Sequence, residues 1–575
     1  VDRTSTEDVI EKARVAAARW DWATAYDLLA SADADNLLAP ADLPALADAA
    51  YGAGHLDVTI GAWERAHAER LRAGDRMGAA EAAVRVAQHV IMDTVLLAPT
   101  RAWIVRAEEL LGGEEDNPVF AWLAVVRNYE RLLSGDFVTA RSWARRAIEV
   151  GLRCEPAAAA VAKVAEARSM ILEGNVREGL RLLDEAAAAA ISSEIPSIPA
   201  GMIYCELVCG AQGVAQYDLA EEWTAAMERW SPGRATGSMH GRCRIHRAEI
   251  LRMRGALGEA EAEALGGCEE LRPYLRRELG WPLTELGMIR LRRGDLDGAE
   301  EAFVAAHEMA WDPHPGLALV RLAQGDVPGA VAAITDALEH PLHIPSKERP
   351  PHTELTRAPM LDAQAEISLA AGDLTVAQAA ADELERLAVR FESKSFAASA
   401  ALARGRVLLA GGDIAGARRH LEDAVQRWTE IGAPYEAAVA RMSLGEAYRA
   451  GGQEDRAQLE LRAARTVFER LGAPHMAARA STAEQALERP PAPPVGDAAA
   501  PAPASASVFR RDGDTWHIEF AGTTTRVRDL KGLRYLARLF AEPARELHVL
   551  DVVALESPGA ADPSAAADPD LAPSS

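Results

Sequence analysis

Four residues of metal-binding type stand close together in the chain: Cys205, Cys209, Cys243 and His246. Thiolate and imidazole are the ligands zinc prefers. Their spacings, C-x3-C and C-x2-H, are not those of a zinc knuckle. Small cysteines buried among the alanines of packed helices give the same pattern, so core packing without a metal is the expectation. His340, His343 and His352 form a second group, in the proline-rich stretch from His340 to Arg357. So irregular a spacing reads as a surface loop that carries its histidines incidentally. A loop of that length is also a candidate partner-binding element. The sequence holds no G-x-S-x-G, no H-E-x-x-H and no paired carboxylates in a recognisable setting. None of its five lysines follows a G-x-x-x-x-G that could cradle phosphate. Its many Glu/Arg pairs at helical spacing belong on solvated faces. A non-enzymatic protein without a cofactor is expected.

The elements that must position any site are legible as a repeat. Gly, then usually Asp or Asn, then an apolar residue and a small residue recur from Gly135, Gly174, Gly255, Gly294, Gly325, Gly372, Gly412 and Gly452. Weaker copies begin at Trp20, Gly54, Val95 and Ala215. Most steps are 39 to 41 residues; one step of 31 and the next of 47 together make two regular periods. A second alanine follows most starts by twelve residues, as Ala66, Ala147, Ala306 and Ala424. A small residue often precedes them by seven, as Gly287, Gly405 and Gly445. Glycine ends one helix in a left-handed conformation, and Asp or Asn caps the next. Small residues mark the places where two antiparallel helices touch. A single pair cannot bury its own apolar face, so the pairs must stack. In the short step, Trp311-Asp312-Pro313-His314-Pro315-Gly316 shortens the first helix of its pair.

This pattern resembles the tetratricopeptide family, over roughly residues 10–488. The resemblance implies an all-α, right-handed superhelix of about twelve helix–turn–helix repeats. The forty-residue period, with Tyr204-Cys205-Glu206, the segment from Gly241 to Glu249, Pro315-Gly316-Leu317-Ala318-Leu319 and the segment from Ala433 to Ala438, is similar to the sensor region of MalT-like, LuxR-family bacterial regulators. Those regulators also carry a nucleotide-binding domain and a LuxR-type helix-turn-helix, and neither is found in this sequence. The family's inner wall lies 13, 10, 6 and 3 residues before each turn. The resemblance thus implies a concave face that includes Trp122 and Tyr129, then Met202, Cys205 and Cys209, then Arg242, Glu249 and Arg252, then Trp281 and Met288. These types anchor peptides and small effectors. They would equally serve to pack neighbouring turns together, and both readings stand at this point.

Residues 489–507 are rich in proline and alanine and read as a semi-extended linker. In the module at 508–556, Trp516, Ile518 and Phe520 alternate as a strand, Ala521-Gly522 turns, and Thr523, Thr525 and Val527 form a second strand. Asp529 is placed to cap a helix carrying Leu533, Leu536, Ala537 and Phe540, and a second apolar segment starts at Leu547. This small α+β unit resembles the first half of an OmpR-type winged helix, with a 557–575 tail in place of the DNA-reading helix. Direct DNA contact through it is an alternative to capture of a protein, peptide or effector by the repeats. A constitutive assembly scaffold is a third reading.

Composition narrows the classes. The formal charge is −24, from 62 Lys+Arg against 86 Asp+Glu, which repels phosphate backbones and anionic membranes. Five cysteines in 575 residues make no disulfide framework. No uncharged apolar run reaches the roughly 18 residues that span a bilayer. The expectation is a cytoplasmic sensor or binding protein in bacterial transcriptional or signalling control, with oligomeric state open.

Overall fold

The computed structural model describes residues 3–192, 195–230, 239–275, 277–488, 508–520 and 523–541. The chain divides into two compact units, Val1–Arg489 and Pro490–Ser575. Within the first, the described residues form twelve helix pairs. They are α1 (Arg3–Ala18) with α2 (Trp22–Ala34), α3 (Leu43–Gly52) with α4 (Leu56–Arg72), α5 (Arg76–His89) with α6 (Leu97–Leu111), and α7 (Pro118–Leu133) with α8 (Phe137–Cys154). Next come α9 (Pro156–Leu172) with α10 (Val176–Ile191), α11 (Ser197–Gly213) with α12 (Tyr217–Trp230), α13 (Met239–Arg254) with α14 (Leu257–Leu271), and α15 (Gly280–Arg293) with α16 (Leu296–Glu308). The last are α17 (Gly316–Ala323) with α18 (Val327–Glu339), α19 (Arg357–Ala370) with α20 (Leu374–Arg390), α21 (Lys394–Ala410) with α22 (Ile414–Ile431), and α23 (Pro434–Ala450) with α24 (Glu454–Leu471). One more helix, α25 (Pro474–Glu488), packs on α24. No described helix is long and apolar enough to cross a membrane.

Every one of the twelve turns read from the sequence is a left-handed residue. The nine glycines have φ between +69° and +93°, and Trp20, Val95 and Ala215 adopt φ of +68°, +55° and +56° without being glycine. Asp136, Asp295, Asp326, Asp373 and Asp413 each accept the backbone N–H three residues on, at 2.9–3.1 Å. Asn175, expected to do the same, makes no side-chain cap bond. Asp326→Ala is expected to cost about 1 kcal/mol, read as faster amide exchange in the first turn of α18. Unchanged exchange there would show the cap to be idle.

The small residues do what their spacing implied. A Cβ on Gly405 would lie 2.6 Å from Leu421, and one on Gly287 2.6 Å from Phe303, so the second helix of each pair sets a large side chain into a notch on the first. Ala66, Ala147, Ala306 and Ala424 are buried in the facing helices. The prolines before Gly316 leave α17 only 8 residues long.

The array winds tightly. Ser395 Oγ donates to the Ala215 carbonyl at 2.9 Å, across 180 residues. Thr353 Oγ1 donates to the Leu172 carbonyl at 3.2 Å, across 181 residues. Arg254 donates to the carbonyl of Ile431, 177 residues away. One superhelical turn therefore takes about four and a half helix pairs, and each turn rests on the one before. The axis between turns is narrow and is filled.

The described residues of the second unit form a three-stranded antiparallel sheet, β1 (Val508–Asp512), β2 (Thr515–Phe520) and β3 (Thr523–Arg528), followed by α26 (Lys531–Ala541). Strand β1 was not expected. It pairs with β2 so that Phe509 faces Ile518 and Asp512 faces Thr515. Asp529, expected only as a cap, ties the unit together. Its carboxylate accepts from Trp516 Nε1 at 2.8 Å and pairs with Arg511 at 2.5 Å and Arg534 at 2.8 Å. Leu536, assigned to the apolar face of the helix, is 42% exposed. The 489–507 linker, the apolar segment from Leu547 and the 557–575 tail lie outside the described residues, as does the Ala521-Gly522 turn.

Candidate functional site: a filled superhelical axis

The inner wall does not line an open groove. Trp122, Tyr129, Met202, Cys205, Cys209, Arg242, Arg252 and Trp281 are all buried, while Glu249 and Met288 are partly buried. The cause is the segment between α18 and α19. The sequence reading placed it on the surface, but residues 346–353 turn inward and run along the axis. Ser346, Lys347, Pro350, Pro351 and Thr353 are buried. His340, His343 and His352 remain exposed, with His343 and His352 stacked at 3.9 Å between ring centroids.

The wall holds this segment largely by its backbone. Arg168 on α9 donates to the carbonyls of Lys347 at 3.3 Å and Glu348 at 3.2 Å. Glu278, just before α15, accepts the Lys347 N–H and the Ser346 hydroxyl, both at 2.8 Å. Arg242 on α13 spans Glu278 at 2.7 Å, Glu348 and the Met92 carbonyl at 3.4 Å. Glu206 on α11 accepts from Tyr129 at 3.2 Å and Arg168 at 3.3 Å. The Lys347 ammonium lies 3.4 Å from Cys205 Sγ and 3.8 Å from Glu206.

Three cations and three carboxylates thus share a site out of water, where each must be paired. Burial works against the Lys347 ammonium, yet Cys205 and Glu206 beside it hold its pKa above the ordinary value. Burial pushes the Glu278 carboxyl up, outweighing the pull of Arg242. Burial also opposes ionisation of Glu348, but Arg242 and Lys347 hold it down. The two carboxyls are thus held apart in acidity, Glu278 pushed up to about 7 and Glu348 held below the ordinary carboxylate range.

The remaining wall residues divide by neighbourhood. Trp122 stacks beneath the Arg85 guanidinium at 5.1 Å, and Met202 joins the same apolar core. Arg252 pairs with Glu285 at 2.5 Å. Burial and Glu285 raise the Glu249 carboxyl next to them. Trp281 lies 5.0 Å from the His246 ring, and Met288 packs against the cluster of Phe303 and Val320. Sequence reasoning missed Arg168, Glu206, Glu278, Ser346, Lys347 and Glu348. Two signals were present. Arg168 stands six residues before the turn at Gly174, an inner position, and Lys347 is one of only five lysines in an arginine-rich chain.

A second polar patch lines the later repeats. Asp362 on α19 accepts from Ser399 Oγ at 3.2 Å, and Glu366 pairs with Arg406 at 3.5 Å. Burial and Glu366 push Asp362 up to about 6, against Arg406. A folded-state pKa above the unfolded value of 3.8 means that the folded protein holds the proton more tightly. That stabilisation is complete below about 3.8 and is lost as pH rises through about 6. Asp362→Asn, which keeps the acceptor for Ser399, is expected to stabilise the protein by roughly 1–3 kcal/mol at pH 8 and not at all near pH 4. Identical unfolding midpoints for variant and parent at pH 8 would refute this.

No protein-family profile matches the chain, and no curated protein matches it. Among solved structures, the chain is similar to one in the crystal structure of the APC/C hetero-tetramer Cut9–Hcn1, at 13% identity and a TM-score of 0.42, covering 84% of this chain and 93% of that one. It is also similar to one in the crystal structure of a Rap protein complexed with competence and sporulation factor, at 13% identity and a TM-score of 0.38, covering 72% of this chain and 99% of that one. The tetratricopeptide-like architecture rests on this chain's own helix pairs and turns.

Proposed function

We propose that this is a non-enzymatic regulatory binding protein whose superhelix holds an irregular, bent peptide segment along its axis. Residues 346–353 are the resident occupant, and a partner's peptide displaces them. The observation that carries this reading is the grip on main chain. Arg168 takes two successive carbonyls, and Glu278 takes an N–H of the same stretch. Contacts of this kind read main chain rather than side-chain identity, so a second peptide that bends as 347–349 does can satisfy them. The assignment to transcriptional or signalling control draws on the resemblance of the segments around Cys205 and His246 to MalT-like sensor regions. A tethered occupant acts at an effective concentration in the millimolar range. A partner present at micromolar levels must therefore bind roughly a thousandfold tighter than the bare segment.

The test replaces 341–353 by a Gly/Ser linker of equal length and confirms folding by circular dichroism. A fluorescent peptide Pro-Leu-His-Ile-Pro-Ser-Lys-Glu-Arg-Pro-Pro-His-Thr is then titrated. Saturable binding to the linker variant, weak binding to the parent and loss with Arg168→Ala are expected. A folded linker variant that ignores the peptide would sink the proposal.

A further inference from the structure

We propose that Cys205, Cys209, His246 and Glu348 form a tetrahedral zinc site that pins the inward segment to the inner wall. The sequence groups Cys243 with Cys205, Cys209 and His246 at spacings that are not those of a zinc knuckle. The fold removes Cys243, whose Sγ packs on Met227 Sδ at 2.9 Å, and brings in Glu348 from the later segment instead.

The ligand atoms of the four residues all lie within 4.8 Å of one another. A tetrahedral zinc with two sulfurs, one nitrogen and one oxygen needs edges of about 3.3–3.8 Å, so a small contraction closes the site. Cys209 Sγ and His246 Nε2 are already 3.3 Å apart. Cys205 and Cys209 stand four residues apart on α11, one turn above the other on the same face.

The surroundings are those of a metal site. His246 Nδ1 bonds to Gln212 Oε1, and Gln212 Nε2 donates to the His246 carbonyl at 2.8 Å. That pair of bonds fixes the ring and places the proton on Nδ1, leaving Nε2 with its lone pair toward the sulfurs. The Glu348 side chain is 3% exposed. One of its oxygens meets Arg242, and the other, Oε2, is buried with no hydrogen-bond partner. The Glu348 carboxyl also meets that of Glu278, and one of its oxygens lies with the two thiols and the imidazole, a place that a cation would fill. Lys347 Nζ, 3.4 Å from Cys205 Sγ, supplies the N–H that a coordinated thiolate accepts.

Charge also balances. On metal entry, each thiol gives up its proton to water as its sulfur bonds the ion, so Zn2+ replaces two protons and the net charge of the pocket is unchanged. Two sulfurs and an imidazole select zinc over magnesium or calcium, which take oxygen ligands.

The test uses the full chain, purified under reduction without chelator and assayed by elemental mass spectrometry. About one zinc per chain is expected. His246→Ala and Cys209→Ser should lower it to background, whereas Cys268→Ser, which changes a buried cysteine outside the site, should not. In parallel, the chelator-stripped parent is titrated with Co2+. Thiolate-to-cobalt charge transfer together with the intense visible bands of tetrahedral cobalt is expected, and this readout needs no variant to fold. Protein that carries no zinc and gives no such spectrum, or zinc that persists in both His246→Ala and Cys209→Ser, would overturn the proposal.

Discussion

Replacing Arg242 with alanine is expected to lower the stability of the central repeats by about 3–5 kcal/mol. Arg242 is 1% exposed, and its guanidinium answers two carboxylates, Glu278 at 2.7 Å and Glu348. Removing it leaves both acids buried without their cation, and the Met92 carbonyl loses a donor. Much of the loss is the cost of the orphans rather than the worth of the pair. In metal-free protein, the variant Arg242→Met combined with Glu278→Gln and Glu348→Gln should therefore recover a large part of it. Urea unfolding and amide exchange in α13 and residues 346–353 would check both statements. A single-variant loss under about 1 kcal/mol would show that water reaches the network.

Phe303→Ala is expected to cost about 3–5 kcal/mol. The ring is 0% exposed and sits between two glycines, Gly287 on α15 and Gly316 at the start of α17. Collapse around a lost side chain normally recovers part of the cost. Gly287 and Gly316 have no side chains to move into the hole, so relaxation falls to Met288, Leu291, Leu317 and Val320 alone. Phe303→Leu should cost less than half as much. Exchange should accelerate mainly in α15 to α17, since a stacked array transmits damage chiefly to its neighbours. Uniform acceleration throughout the chain would contradict that.

The pair architecture was legible because its causes are local. Left-handed turns require glycine or a tolerated substitute, and the period located Trp20, Val95 and Ala215 even where the residue type did not. Caps and helix-contact notches follow from positions within one pair. The filled axis was not legible, because it depends on how many pairs complete a turn. Thr353 meets Leu172 only once the superhelix has closed, and no local pattern encodes that approach. The long step was visible as an irregularity, but the direction in which it turns was not. The same reason separates Glu348 from Cys205 in the sequence while uniting them in the fold. In the second unit, β1 was missed because Val508-Phe509-Arg510-Arg511-Asp512 lacks the alternation that revealed β2.

The contacts between successive turns give the array a mechanical character. An open coil lengthens by small rotations at every joint. This one has Ser395 bonded to Ala215, Thr353 to Leu172 and Arg254 to Ile431, each bridging a full circuit of contour. Such a body is stiff under tension until a tie breaks, then gives way in steps. It is expected to resist extension as a tied coil rather than yield as a spring.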